Sequence, residues 1–168
     1  MAGKLILIGG ISRSGKSTLA QGLASSLKGS SYLEQDFFVK PEEELPIIND
    51  RINWDSPDSI DWARWKSEIT DRLESYQWVI AEGIFAFNDT AINNMAHFKI
   101  NLSIEKSIFL QERKADTRWG LEPDWFLEHV WDAHGKYHNP FGLSFDISSD
   151  RNQLHKVEFI REQIMNKS

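Results

Sequence analysis

Eight residues near the start of the chain, Gly10-Ile11-Ser12-Arg13-Ser14-Gly15-Lys16-Ser17, fit G-x-x-x-x-G-K-[ST] at every fixed position. These residue types suit one task, the gripping of a polyphosphate. Gly10 and Gly15 let the backbone curl so that successive N–H groups point inward at phosphate oxygens. A helix beginning near Lys16 adds the positive end of its dipole. Lys16, expected to be exposed before nucleotide binds, can reach the β- and γ-phosphates, and the Ser17 hydroxyl can hold Mg²⁺. Ser12, Arg13 and Ser14 complete the loop, and Gly9 and Thr18 extend it at its edges. ATP and Mg²⁺ are the expected ligands. A chance Gly/Ser-rich turn could match the same pattern, but the motif also demands a strand before it and a helix after it.

The surrounding pattern supplies both. Leu5–Ile8 is a short apolar run bounded by Gly9-Gly10 and reads as a buried strand. Lys16 to Lys28 reads as a helix, with Leu19, Leu23 and Leu27 one turn apart and Gly29 as its stop. Ser31–Glu34, Trp78–Ala81, Phe98–Ser103 and Leu143–Ile147 read as further strands. Residues 60–75, 105–119 and 124–137 read as helices, and a last helix runs from a cap at Ser149 or Asp150 to about Met165. The stripe Ile60, Trp62, Trp65, Ile69, Leu73 reads as core. Residues 36–59 are irregular. Strands alternating with helices predict an α/β layer fold with a mainly parallel sheet. Ligands of such sheets bind at the carboxyl ends of the strands. Gly10, Asp36 and Glu82 each lie at or just beyond such an end, so residues far apart in sequence can share one site. Glu82, followed by a Gly83 that permits close approach, is expected to order Mg²⁺ directly or through a water, because Mg²⁺ takes few protein carboxylates.

The bulk properties narrow the classes. At 168 residues the length predicts a single domain over residues 1–168. The formal net charge of −6 excludes a general nucleic-acid binder, which needs clustered Lys and Arg. There is no Cys, hence no disulfide framework, thiolate catalysis or Cys-based zinc site. No apolar run approaches membrane-spanning length, so no membrane association and a cytoplasmic location are expected. His134 and His138 sit four apart without an obvious third ligand, and are expected to be surface histidines rather than a metal face. Glu42-Glu43-Glu44 reads as a solvated loop and Lys114 as a solvated side chain.

A phosphate loop specifies a nucleotide, not a reaction. The chain has no Asn-Lys-x-Asp guanine signature, and instead of an apolar run ending in Asp it carries Trp78-Val-Ile-Ala-Glu82-Gly. With Glu34-Gln-Asp36-Phe-Phe-Val-Lys-Pro41, Asn53-Trp-Asp55-Ser-Pro-Asp58-Ser-Ile-Asp61, Ala81-Glu82-Gly-Ile-Phe85, and a lid-like segment from Arg113 to Trp119, it resembles the uridine kinase family. Within that family it is most similar to the nicotinamide riboside kinases, a likeness that extends to Trp125 and His129-Val-Trp131 and spans Leu5 to about Tyr137. It departs from the family in Arg13, in its short length and in a lid, about residues 112–124, with fewer arginines.

The resemblance implies a P-loop NTPase-type parallel five-stranded sheet with helices on both faces. It implies transfer of the ATP γ-phosphate to a nucleoside 5′-hydroxyl. Asp36 would then be the general base that accepts the hydroxyl proton. Trp54 would stack on the base, and Asp55 would accept hydrogen bonds from the ribose hydroxyls. Arg113 and Arg118 would neutralise charge on the transferred group; without the resemblance they read as helix-surface partners of Glu112 or Asp116.

The charge pattern adds an independent indication. Between Glu34 and Asp61 stand nine acids (Glu34, Asp36, Glu42, Glu43, Glu44, Asp50, Asp55, Asp58, Asp61), opposed only by Lys40 and Arg51. A nucleotide acceptor, itself an anion, would want arginines here. A nucleoside would not, and the cationic pyridinium of nicotinamide riboside would gain from the acidic field and a Trp face. Nicotinamide riboside is thus the expected acceptor. The alternatives are a uridine/cytidine kinase, a kinase of another small hydroxylated metabolite, or a P-loop ATPase module without acceptor phosphorylation. Either a monomer or a homodimer is compatible with this reading.

Overall fold

The computed structural model describes residues 3–151 and 157–167. In chain order its elements are β1 (Lys4–Gly10), α1 (Lys16–Ser26), β2 (Ser30–Glu34), β3 (Ile47–Ile48), β4 (Arg51–Ile52), α2 (Trp62–Ser75), β5 (Trp78–Gly83), α3 (Thr90–Met95), β6 (Ala96–Ser103), α4 (Lys106–Ala115), α5 (Asp124–Tyr137), β7 (Ile147–Asp150) and α6 (Val157–Asn166). Five strands form one sheet in the order β2-β5-β1-β6-β7, with every neighbouring pair parallel. The expected five-stranded parallel sheet is therefore present.

The period-two alternation of β1 sorts its side chains to two faces. Ile6 and Ile8 pack with Leu19 and Leu23 of α1 and Ile160 and Ile164 of α6, while Leu5 and Leu7 pack with Trp65 and Ile69 of α2. Helices thus cover both faces, as a parallel sheet requires. Each such fully buried Leu or Ile contributes about 1.5–3 kcal/mol of transfer free energy. The stripe read as core holds: Ile60, Trp65 and Ile69 are buried, and Trp62 and Leu73 pack partly buried against the same layer.

The strand registers bring the site together. Gly9 lies beside Gly83, and Glu34 beside Glu82, so the carboxyl ends of β1, β5 and β2 are level. A 3₁₀ turn over Gln35–Phe38 then carries Asp36 out of β2.

Several expected boundaries move. The helix expected over 105–119 stops at Ala115, where the Asp116 N–H returns to the Arg113 carbonyl; a turn from Thr117 to Gly120 (φ +76°) follows. The strand expected at 143–147 lies instead at Ile147–Asp150, pairing with β6, because Leu143 and Phe145 are apolar for packing against the α2 side of the sheet. Ser149 and Asp150 therefore belong to β7 and do not cap the last helix, whose expected first turns fall partly outside the described residues. Helix α2 begins at Trp62 rather than Ile60, with the Asp61 carboxylate accepting the Arg64 N–H at 3.1 Å. Within the irregular stretch, Ile47–Ile52 forms a tight hairpin whose turn residues Asn49 and Asp50 both have positive φ, the geometry that a two-residue hairpin loop needs.

Candidate active site

The loop after β1 has the curled backbone that its glycines permit. Gly15 sits at φ +91° as the residue before α1, and a Cβ on Gly10 would lie 2.4 Å from the Leu102 carbonyl oxygen and 2.6 Å from Ser14 Oγ. Arg13 takes φ +70°, a conformation that costs energy for a side chain with a Cβ. Ser14 Oγ is buried without a hydrogen-bond partner inside the loop, an oxygen placed for a bound group to satisfy.

Lys16 is buried rather than exposed: its ammonium folds back on the Ile11 carbonyl at 3.3 Å. Burial lowers its pKa, and the carboxylates of Glu82 and Asp36 push back. Glu82, also buried, accepts the Ser17 hydroxyl at 2.6 Å and the Tyr32 hydroxyl at 3.1 Å. Burial raises the Glu82 pKa, against the opposing pull of Lys16 and Ser17. The paired oxygens of Ser17 and Glu82 suit Mg²⁺, which takes one or two protein oxygens and completes its shell with phosphate and water. No cluster of three or more His, Cys, Asp or Glu able to hold a metal occurs among the described residues.

Gly83 has a different reason from the one its sequence position suggested. A Cβ there would meet Gln35 Oε1 at 2.3 Å, and that same oxygen accepts the Phe85 N–H at 2.9 Å. The close approach seen here is made by Gln35, which locks the turn presenting Asp36.

A cleft of about 860 Å³ joins these parts, large enough for two small molecules. Ser12, Arg13, Lys16 and Ser17 of the phosphate loop line it together with Asp36, Trp54, Asp55, Arg113, Arg118 and Trp119. Thr18 is exposed on the first turn of α1 and does not line it. Asp36 and Trp54 are accessible, Trp54 at 42%. Asp55 is 7% exposed, and burial, opposed by Arg113 and reinforced by Glu122 and Asp36, raises its pKa to about 6.

Arg113 has partners that sequence reading did not find. Arg113 clasps Glu122 through Nε at 2.7 Å and Nη2 at 2.9 Å, and donates Nη1–H to Ser12 Oγ at 3.0 Å, linking α4 to the phosphate loop. Arg118 is exposed and clasps Asp116, one of the two partners its sequence neighbourhood offered, but in the turn after α4 and not on a helix face, while Arg13 reaches the same carboxylate. Lys114 is exposed and reaches Asp124 at 2.8 Å. Among the described residues, Asp36, Asp50 and Asp55, which all line the cleft, form no ion pair.

His134 is a correction. It is not a surface histidine: its Nδ1 is buried without a partner, and burial, with His138 and Lys16 adding to it, lowers its pKa to about 3. It remains neutral at physiological pH.

The fold and the loop together define a P-loop NTPase-type architecture. Shikimate kinase from Bacteroides thetaiotaomicron superposes with a TM-score of 0.61 at 16% identity, covering 97% of this chain and 95% of that one. A possible uridine kinase from Bacillus stearothermophilus superposes at 0.55 and 16%, covering 89% and 90%. In sequence, the chain is similar to nicotinamide riboside kinase of Saccharomyces cerevisiae, 23% identical over 211 residues that cover 94% of this chain and 88% of that protein. It is similar to nicotinamide riboside kinase 1 of Rattus norvegicus at 28% over 163 residues, 85% and 83% of the two chains. No protein-family model matches it. None of the helices among the described residues is long and apolar enough to cross a membrane.

Proposed function

We propose that this chain is an ATP- and Mg²⁺-dependent kinase that phosphorylates the 5′-hydroxyl of a nucleoside, with nicotinamide riboside as first-choice acceptor. The observation that carries the reading is one cleft lined both by the phosphate loop, through Ser12, Arg13, Lys16 and Ser17, and by Asp36, Trp54 and Asp55. The similarity to nicotinamide riboside kinases over most of the chain supports the same acceptor.

The backbone from Gly10 to Gly15, with Ser12, Arg13, Ser14, Lys16 and Ser17, would hold the phosphates of ATP; Thr18 stays peripheral. Ser17 and Glu82 would hold Mg²⁺, which supplies charge neutralisation on the phosphate oxygens. Asp36 accepts the proton of the acceptor hydroxyl as its oxygen bonds to the γ-phosphorus and the bond to the leaving ADP breaks. Lys16 stabilises charge on the transferred group. Arg118 joins it by leaving Asp116, and Arg113 holds the lid, about residues 112–124, against Ser12. Asp55 accepts the ribose hydroxyls, and Trp54 stacks on the base, a face that a cationic ring prefers. The chain would work on its small-molecule acceptor as one domain, in the cytoplasm, as a monomer or homodimer.

The test is ADP release from ATP and Mg²⁺ over a panel of nucleosides: nicotinamide riboside, uridine, cytidine and their monophosphates. Turnover highest with nicotinamide riboside is expected. Preference for uridine or cytidine would move the reading to a pyrimidine nucleoside kinase, and ADP release indifferent to every acceptor would leave an ATPase.

A further inference from the structure

Asp55 sits at the end of a hydrogen-bond chain that begins outside the cleft. The His129 ring, on α5, places Nε2 3.0 Å from Asn53 Oδ1. The same Oδ1 accepts the backbone N–H of Asp55 at 3.2 Å. Because the amide N–H of Asp55 can only donate, the Asn53 atom facing it is the acceptor oxygen, and His129 Nε2 must carry the proton that it donates. One side-chain oxygen therefore takes two N–H groups, one from the acceptor loop itself and one from a helix 76 residues away.

The rest of the loop is held to the same helix. Arg51 lies over the Phe126 ring at 5.1 Å, and the Phe126 and His129 rings stand 5.9 Å apart. Phe126 and Arg51 line the cleft; His129 does not. We infer that His129 is a positioning residue for the acceptor: through Asn53 it fixes the backbone of Asp55, and so the direction in which the buried carboxylate meets the substrate. The inference rests on the acceptor role proposed for Asp55. It makes α5 a determinant of acceptor affinity without any contact to the acceptor.

The test pairs a substrate-free readout with a kinetic one, on the full chain. His129→Phe keeps a ring against Phe126 and removes the donor, whereas His129→Gln restores an N–H. Hydrogen exchange at the Asp55 amide should quicken in His129→Phe and in Asn53→Ala and stay slow in His129→Gln. The KM for nicotinamide riboside should rise about three- to tenfold in His129→Phe, the range of one neutral hydrogen bond, with the KM for ATP unchanged and His129→Gln near wild type. In an Asn53→Ala background, His129→Phe should add nothing. Unchanged Asp55 exchange in His129→Phe overturns the inference, as does an equal rise in both KM values. Asp55→Ala separates the two readings. If it raises the acceptor KM and His129→Phe does not, positioning by His129 fails alone; if neither does, the acceptor role of Asp55 fails with it. Should His129→Phe not fold, Asn53→Ala tests the same chain from its other end.

Discussion

The Asp116 carboxylate binds the Arg13 guanidinium, tying the phosphate loop to the first residue after α4 across 103 positions of chain. The same carboxylate holds Arg118. Two guanidinium cations lining the cleft thus share one acid, whose pKa Arg118 and Arg13 hold well below the usual carboxylate range. A polyphosphate must compete with Asp116 for both. Asp116→Asn should therefore tighten ATP binding, by about two- to fivefold given what ion pairs with a solvent-facing arginine contribute, and steepen its salt dependence. Calorimetric titration with ATP checks this; weaker binding would mean that Asp116 organises the loop rather than competing for its arginines.

Lys16→Ala should abolish phosphoryl transfer without unfolding the protein. The ammonium is buried and makes a single long hydrogen bond, to Ile11, and burial disfavours its charge. Its removal should leave the melting temperature unchanged or raise it. A variant that melts earlier and still turns over would remove Lys16 from the phosphate site.

Asp36→Asn keeps the shape of the turn, since Gln35 and not Asp36 supplies the contact that locks it. It should lower kcat by about 10²–10⁴-fold, the usual contribution of a general base, with ATP affinity preserved. Lost ATP affinity at constant kcat would place Asp36 on the metal side instead.

Much of this was legible from residue order, for a physical reason. A phosphate loop, a buried parallel strand and an amphipathic helix are local patterns, so β1, α1, β2, β5 and α5 appear in the sequence close to where they fold. Asp36 and Glu82 were legible because strand ends in such sheets converge. The contacts that tune the site were not. Arg13 to Asp116, Arg113 to Glu122 and His129 to Asn53 join surface-like residues whose pairing is decided by how α4 and α5 dock, and nothing in their spacing signals it. The partner that comes close to Gly83 was hidden for the same reason, since only the fold brings Gln35 against it. The hairpin Ile47–Ile52 escaped notice because each strand has two residues, too few to show alternation, although Asn49-Asp50 is a turn signal.

Trp54→Ala should separate cationic from neutral acceptors. Trp54 lines the cleft and is 42% exposed, so its face is available to a base. Stacking is shared by all bases, but cation–π attraction adds about 0.5–2 kcal/mol for a pyridinium. The measurement is kcat/KM for nicotinamide riboside and for uridine in wild type and variant. The ratio should fall towards uridine; equal losses would show that Trp54 does not read ring charge.

Asp55 predicts a pH limb in acceptor affinity. Burial raises its pKa from 3.8 to about 6, with Arg113 opposing and Glu122 and Asp36 adding. Accepting both ribose hydroxyls requires the ionised form. Acceptor KM should accordingly be flat above pH 7 and rise by about tenfold per unit below pH 6, while KM for ATP does not follow. Asp55→Asn should remove that limb and raise KM throughout, and a 2′,3′-dideoxy acceptor should not show the limb even in wild type. Stability has the opposite sign. Because the folded pKa lies above the unfolded value, the native state retains a proton that the unfolded chain has released between about pH 4 and 6. This group therefore favours the fold less as pH rises through that window, and its cost is constant above it. Asp55→Asn should melt higher than wild type at pH 7–8, with the gap closing towards pH 4. A melting difference independent of pH, together with a flat acceptor KM down to pH 5, would show that Asp55 is ionised throughout and is not held by burial in the way described.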